Sequence, residues 1–438
     1  MIKTSKEANI NYLAKVVKLK NLKRHINADR LQTVDIDFQT VITGMDAKDG
    51  DIYVYFPIES KINKDFLLKT NSFRNKELNI DKTKTGFFED NCRVKAMKLR
   101  NEKSMGYIVP AKLVYDWAED KQDPEVDTDK EFDTINGIKM VEKYQVQQRV
   151  SNNTSKNKKP KVSRIINGQV HLHVDTENLR KNAYKIDPDD LISLTYKTHG
   201  TSFWVANVLV KRKLTLIEKV LNWVGLPMDD LEYDYVYGSR RVVKNADMDN
   251  PKQKDNFYGY DLWEKVKDEI KDGIPKGYTV YGEMLGYDHN GGYIQKGFDY
   301  GCKDKEHKLE VYRVTNTTPD GLVTELSYPQ IQEFCEEAHL IPSHLFYYGK
   351  AKDINFLTAG LLDYSDKEVW RDYFVKCLEE DYNDKNCFMC SNTVPEEGIV
   401  LRVESLFTCE SYKLKSFSFL EYETKELDKG ETDLESEN

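Results

Sequence analysis

Tyr196-Lys197-Thr198-His199-Gly200-Thr201-Ser202 lies between two apolar runs of strand character. Leu191-Ile192-Ser193-Leu194-Thr195 precedes it and Trp204-Val205-Ala206-Asn207-Val208-Leu209-Val210 follows, so the stretch is expected on a loop joining two strands. A lysine there, with a glycine three residues on that lets a ligand approach the backbone, is placed to act as a nucleophile. Lys-x-x-Gly by itself is common in a lysine-rich chain. Its weight depends on whether phosphate- and metal-binding residues follow it in a workable order.

Four stretches downstream answer to that description. Tyr237-Gly238-Ser239-Arg240-Arg241 offers adjacent arginines beside a small turn. Thr279-Val280-Tyr281-Gly282-Glu283-Met284 is an apolar strand ending in a carboxylate after a glycine. Glu396-Glu397-Gly398-Ile399-Val400-Leu401-Arg402 opens a β-branched strand with carboxylate and glycine. Ser411-Tyr412-Lys413-Leu414-Lys415 alternates, which puts both lysines on one side. Each alone reads as surface charge at a strand end. Nucleophile, arginine, two carboxylates and a lysine pair in sequence form a set that chance does not easily supply.

The N-terminal third reads as short strands. Leu31-Gln32-Thr33-Val34-Asp35-Ile36-Asp37-Phe38 alternates with period two, and Asp49-Gly50-Asp51 turns into the apolar strand Ile52-Tyr53-Val54-Tyr55-Phe56-Pro57. Cys92 to Arg100 alternates again, with Arg93, Lys95, Lys98 and Arg100 as polar members suited to a phosphate backbone or to plain solvation. Several short strands without a strong helix predict an OB-like β-barrel over 1–120. Residues 121–164 read as a linker region, ending in the polar, lysine-rich run Gln147–Lys161. A second domain over 165–420 mixes strands with helices at 261–270, 328–338 and 367–380, and the fold class is α+β. Residues 421–438 are expected to be an acidic disordered tail.

Hydrophobic content of 39% and charged content of 32% describe a globular protein with apolar mass for two cores. No run has the roughly 18 apolar residues of a membrane span, and no secretory leader is evident. Seven scattered cysteines suit reduced thiols in the cytoplasm. Cys387-Phe388-Met389-Cys390 lacks a second pair for zinc, so packed free thiols are expected. The net charge of -9 does not exclude a nucleic-acid partner, because eight acids against Lys425 and Lys429 place -6 of it in residues 421–437.

The order of these motifs resembles the covalent nucleotidyltransferases, the polynucleotide ligases and messenger-RNA capping enzymes. Lys197-Thr198-His199-Gly200 is similar to the Lys-x-His-Gly form of RNA ligases rather than Lys-x-Asp-Gly. Glu310-Val311-Tyr312-Arg313-Val314-Thr315 matches the strand that carries an aromatic platform for the base. With Tyr53–Ser60 and Arg93–Arg100, the N-terminal region resembles the OB module of the fifth RNA ligase family. The resemblance implies an OB-like barrel followed by a mixed α/β nucleotidyltransferase (ATP-grasp-like) ligase domain. It implies an RNA ligase (ATP) that seals 3′-hydroxyl/5′-phosphate breaks in nicked duplex RNA or RNA-containing hybrids, as a monomer.

By that resemblance Lys197 attacks the α-phosphate of ATP. Lowering its pKa from about 10.4 to near neutrality costs roughly 4 kcal/mol, supplied by neighbouring cations and a metal. Glu283 and Glu397 are implied to hold Mg2+ or Mn2+. Lys413, Lys415 and Arg240 bind phosphates and act in catalysis, and Tyr312 stacks on adenine. Thr195 and Gly200 complete the implied ATP site. Thr195 also stands where many ligases have a glutamate, so adenine specificity is expected to rest on other contacts. His199 is expected to shape the loop by hydrogen bonding. The competing readings are a DNA ligase, a GTP-using capping enzyme, and a non-catalytic OB-bearing RNA-binding protein.

Overall fold

The computed structural model describes residues 1–145, 162–249, 260–354, 366–382, 385–405 and 409–429. The first domain is built on β1 (Ala14–Lys18), β2 (Leu31–Ile36), β3 (Gln39–Gly44), β4 (Ile52–Pro57), β5 (Ser60–Ile62) and β6 (Gly106–Pro110), followed by α1 (Ala111–Trp117). β2 and β3 form a tight hairpin, Ile36 paired with Gln39, whose two turn residues Asp37 and Phe38 have φ of 46° and 60°. That primed geometry suits the twist of the flanking strands. β6, β4 and β1 are neighbours in one antiparallel sheet, and Val16, Val54, Phe56 and Val109 point into a common core.

The stretch from 121 is not a linker. β7 (Glu131–Phe132) pairs with β1, and β8 (Val141–Lys143) pairs with β5. Phe132, Ile135, Met140 and Val141 are buried in the barrel core. Four buried apolar side chains are worth several kcal/mol of transfer free energy, enough to hold a segment whose two- and three-residue strands are too short to show a period. The lysine-rich run 147–161 lies outside the described residues.

The second domain faces two sheets against each other. One has the order β9 (Glu177–Asn178), β18 (Glu410–Lys415), β17 (Gly398–Val403), β10 (Leu191–Lys197), β16 (Leu345–Lys350). The other has the order β12 (Leu231–Gly238), β11 (Thr201–Lys211), β13 (Tyr278–Gly286), β14 (His307–Thr317), β15 (Val323–Glu325), with Ile341–Pro342 alongside β14. The expected helices form: α3 (Leu262–Ile270), α4 (Tyr328–Glu337) and α5 (Lys367–Tyr382), after a short α2 (Leu216–Trp223). α5 covers the outer face of the first sheet with Trp370, Phe374 and Leu378. Among the described residues no helix is long and apolar enough to cross a membrane.

The acidic tail begins as structure. α6 (Phe417–Asp428) is capped by Ser416 and buries Phe417, Phe419, Leu420 and Thr424, a helical face that a count of charges conceals. It also corrects the reading of Cys92–Arg100, where only Met97–Leu99 is strand. Arg93 is buried rather than presented to a phosphate backbone: it pairs with Glu59 and reaches Thr424 of α6. Lys95 is held between Glu89 and Asp428. Ala96 and Met105 of the barrel pack on Phe417 and Leu420, so α6 joins the two domains.

Candidate active site

Lys197 is the last residue of β10 rather than part of a loop, and the loop proper is only Thr198-His199-Gly200. Alternation along β10 turns Ser193, Thr195 and Lys197 to one face, with Ile192 and Leu194 in the core behind. The same pattern presents Val400 and Arg402 from β17 and Ser411 and Lys413 from β18. Across from them stand Ser202 of β11, Glu283 of β13, Tyr312 and Arg313 of β14, and Glu325 of β15. Together they line a cavity of about 340 Å³, within the range of small-molecule sites.

At the end where β10 stops, Lys197 Nζ lies 2.7 Å from Glu397 Oε1 and Lys415 Nζ 3.6 Å from the same oxygen. Lys415 is also 3.1 Å from Glu423 of α6. Glu397 has no exposed side-chain surface. Its place is fixed by Gly398, where a Cβ would collide with the Leu414 carbonyl oxygen of the neighbouring strand. Lys413 lines the cavity, whereas Lys415 lies beside it, ion-paired to Glu397. Beyond these, His199 Nδ1 is 3.9 Å from Glu397 Oε2. Its ring stands edge-on to Phe298 and Phe419, and its backbone N–H donates to Tyr300 Oη at 2.6 Å. Neighbouring Glu396 is buried, and its carboxyl is pushed up to about 9 by that burial and by Cys387.

Gly200 is not part of the cavity wall. A Cβ there would strike the Met284 carbonyl oxygen and Leu285 of β13, so the glycine serves strand packing. Its N–H donates to Glu283 Oε1 at 3.2 Å, which aims that carboxylate. The Tyr312 hydroxyl shares a hydrogen bond of 3.0 Å with His173 Nδ1. Burial first, and the Glu283 charge second, hold the phenol proton on.

The extended chain at His173-Val174-Asp175-Thr176 also borders the cavity. Asp175 receives Arg240 at 2.6 Å and Arg241 at 3.0 Å. Burial raises the Asp175 carboxyl, but the two arginines outweigh it and leave its pKa below the usual value. Sequence reading missed His173 and Asp175, whose segment has no periodicity. It also missed Ser193, Arg402 and Ser411, which two-residue counting along the motif strands places on the cavity side.

Two facing sheets that hold a strand-end lysine, a tyrosine, carboxylates and further lysines around one cavity, behind an OB-like barrel, make a nucleotidyltransferase-like ligase fold. The RNA ligase family profile matches residues 191–417, and an OB-fold domain profile matches residues 13–111. The chain therefore belongs to the RNA ligase family. No curated protein sequence matches it significantly. Among solved structures, Naegleria gruberi RNA ligase is similar in fold. A glutamate-to-alanine variant with ATP and Mn aligns at TM-score 0.57 and 14% identity over 94% of this chain and 99% of that one. The same ligase with PPi aligns at TM-score 0.54 and 14% identity over 95% and 100%.

Proposed function

We propose that this chain is an ATP-dependent RNA ligase that seals 3′-hydroxyl/5′-phosphate breaks in duplex RNA or RNA-containing hybrids, as a cytoplasmic monomer. The observation that carries the reading is Lys197 at the edge of a nucleotide-sized cavity, against a buried carboxylate and with Lys413 lining the same cavity. The Naegleria enzyme was solved with ATP, AMP, PPi and Mn, which supports ATP as the adenylate donor here.

In this reading Lys197 Nζ attacks the α-phosphorus of ATP. The N–P bond forms, the α,β-bridging P–O bond breaks, pyrophosphate leaves and the lysine gives up a proton. An oxygen of the RNA 5′-phosphate then takes AMP from Lys197, and the 3′-hydroxyl displaces AMP from that 5′ end to form the phosphodiester. Lys413 and Arg240 hold phosphate oxygens as charge develops on them, the electrostatic work that dominates phosphoryl transfer. Lys415 positions Glu397. Tyr312 provides a face for the adenine.

Glu397 and Glu283 are hard oxygen donors at the lysine end of the cavity. Oxygen donors of this kind fit Mg2+ or Mn2+ held by one or two carboxylates and its own waters. Such an ion would neutralise phosphate charge and compete with Lys197 for Glu397.

The test is incubation with α-labelled ATP and a divalent ion. The expected outcome is a label that survives denaturation and is absent in Lys197→Ala. No label on the wild-type chain would leave an RNA-binding protein; label from GTP alone would indicate capping chemistry. The adenylylated enzyme is then offered nicks with RNA or DNA 3′ ends. Sealing should require the RNA 3′ end, and equal sealing of all-DNA nicks would overturn that.

A further inference from the structure

If Lys197 marks the phosphate end of the cavity, the base must lie further along the strands. A strand advances about 3.4 Å per residue, so Thr195 lies about 7 Å and Ser193 about 14 Å back from Lys197 along β10. Ser193 is paired in register with Arg402 of β17, as Thr195 is with Val400. Val400 is in turn paired with Lys413, so the Thr195–Val400 row sits where phosphate gives way to sugar, and the Ser193–Arg402 row at the depth of the base.

That row has the equipment to read a base. Arg402 is nine-tenths buried, and its Nη2 donates to the Leu326 carbonyl oxygen and to Cys409 Sγ. Its Nε and Nη1 are buried with no hydrogen-bond partner among the described residues, and buried donors left dry are costly. Ser193, itself buried, donates its hydroxyl proton to Glu404 Oε1 at 2.7 Å, so its lone pairs remain as an acceptor. The cavity floor therefore offers a fixed acceptor next to a fixed donor.

Resting on the ligase reading above, we propose that Ser193 and Arg402 are the adenine-reading residues of this enzyme. Ser193 Oγ accepts from the 6-amino group and Arg402 donates to N1, with Glu404 fixing the direction of the Ser193 hydroxyl. The pair takes the part that a glutamate at the position of Thr195 does not fill. Guanine presents an acceptor at position 6 and a donor at position 1, so it meets like against like at both places.

The experiment is the rate of Lys197 labelling from ATP, from purine riboside triphosphate, which lacks the 6-amino group, and from 1-deaza-ATP, which lacks N1. Wild type should prefer ATP over each analogue by about tenfold in kcat/KM, the scale of one buried hydrogen bond lost. Ser193→Ala should treat ATP and purine riboside triphosphate alike while still distinguishing 1-deaza-ATP; Arg402→Gln should show the opposite selectivity. A general loss of folding would not produce this crossed pattern, and Ser193→Ala keeps the test available if Arg402→Gln unfolds. Labelling by ATP whose discrimination is the same in wild type and both variants overturns this inference alone. No labelling of wild type by any of the nucleotides defeats the ligase reading.

Discussion

Arg93 and Glu59 meet as a bidentate pair, Nη2 to Oε1 at 2.6 Å and Nε to Oε2 at 2.9 Å, and the guanidinium Nη1 also donates to the carbonyl oxygen of Thr424, 331 positions further along the chain. The Arg93 side chain has no exposed surface. Burial raises the Glu59 carboxyl to about 7 against the opposing pull of Arg93. A buried pair of this kind is weak evidence for net stability, but removing one of its partners is expensive. What it does here is lock the barrel to α6, and through Glu423 on that helix to Lys415 beside Glu397.

Deleting the chain after Leu420 removes Thr424, Asp428 and Glu423 together. The acidic composition alone suggests that such a truncation is harmless; the structure predicts the reverse. Stability should fall by at least about 2 kcal/mol from the unsatisfied Arg93 donors, measured by urea unfolding, and labelling of Lys197 should drop as Lys415 loses Glu423. Truncation after Lys429 keeps every one of these contacts and should leave both unchanged.

His199 gives a prediction of opposite character. Its ring is caged by Phe298 and Phe419 within 3.9 Å of Glu397. An aspartate in that cage would put a second carboxylate beside a buried one, and like charges in a dry site disfavour ionisation of both. His199→Asp should therefore lower both the unfolding midpoint and Lys197 labelling more than His199→Asn does. Equal effects of the two changes would show that charge at this position is immaterial.

The parts of this site that the sequence announces lie on strands long enough to show a period. Alternation predicts the facing of Lys413, and the apolar run before Glu283 marks its strand, whereas Lys197, expected on a loop, is the last residue of such a strand. Asp175 reaches Arg240 from an aperiodic segment 65 positions away, a contact that no local pattern encodes. The barrel's last strands were hidden for a related reason: Glu131–Phe132 and Val141–Lys143 are stabilised by tertiary burial, not by propensity. α6 was hidden by composition, because its buried Phe417, Leu420 and Thr424 are spaced for a helix within a run of acids. Gly200 shows a limit of another sort. The sequence marks the need for a glycine, but not whether a ligand or a neighbouring strand imposes it.

Glu397→Gln isolates the counter-charge at the nucleophile. The amide keeps the volume but cannot balance Lys197 at 2.7 Å and Lys415 at 3.6 Å. Labelling of Lys197 should fall by roughly 100-fold or more, the scale of losing one preorganised electrostatic group at a reacting centre. A loss of less than about threefold, with the adenylate still on Lys197, would remove Glu397 from the machinery.

Glu310, opposite Glu283 in the β13–β14 register, sets a pH dependence of stability. Burial pushes its carboxyl from 4.5 up to about 7, with Lys308 and hydrogen bonds from His344 and Ser343 pulling the other way. The folded chain therefore holds this proton more tightly than the unfolded chain. The stabilisation is fully present below about pH 4.5, declines above it, and is gone once the pH has climbed through about 7. The whole effect is on the order of 3 kcal/mol. Glu310→Gln keeps the shape and does not ionise, so the wild-type chain should lose about 2 kcal/mol more than the variant between pH 5 and pH 8. Parallel pH profiles of urea unfolding for the two chains would mean that Glu310 is already ionised in the fold, with a polar partner that burial alone does not reveal.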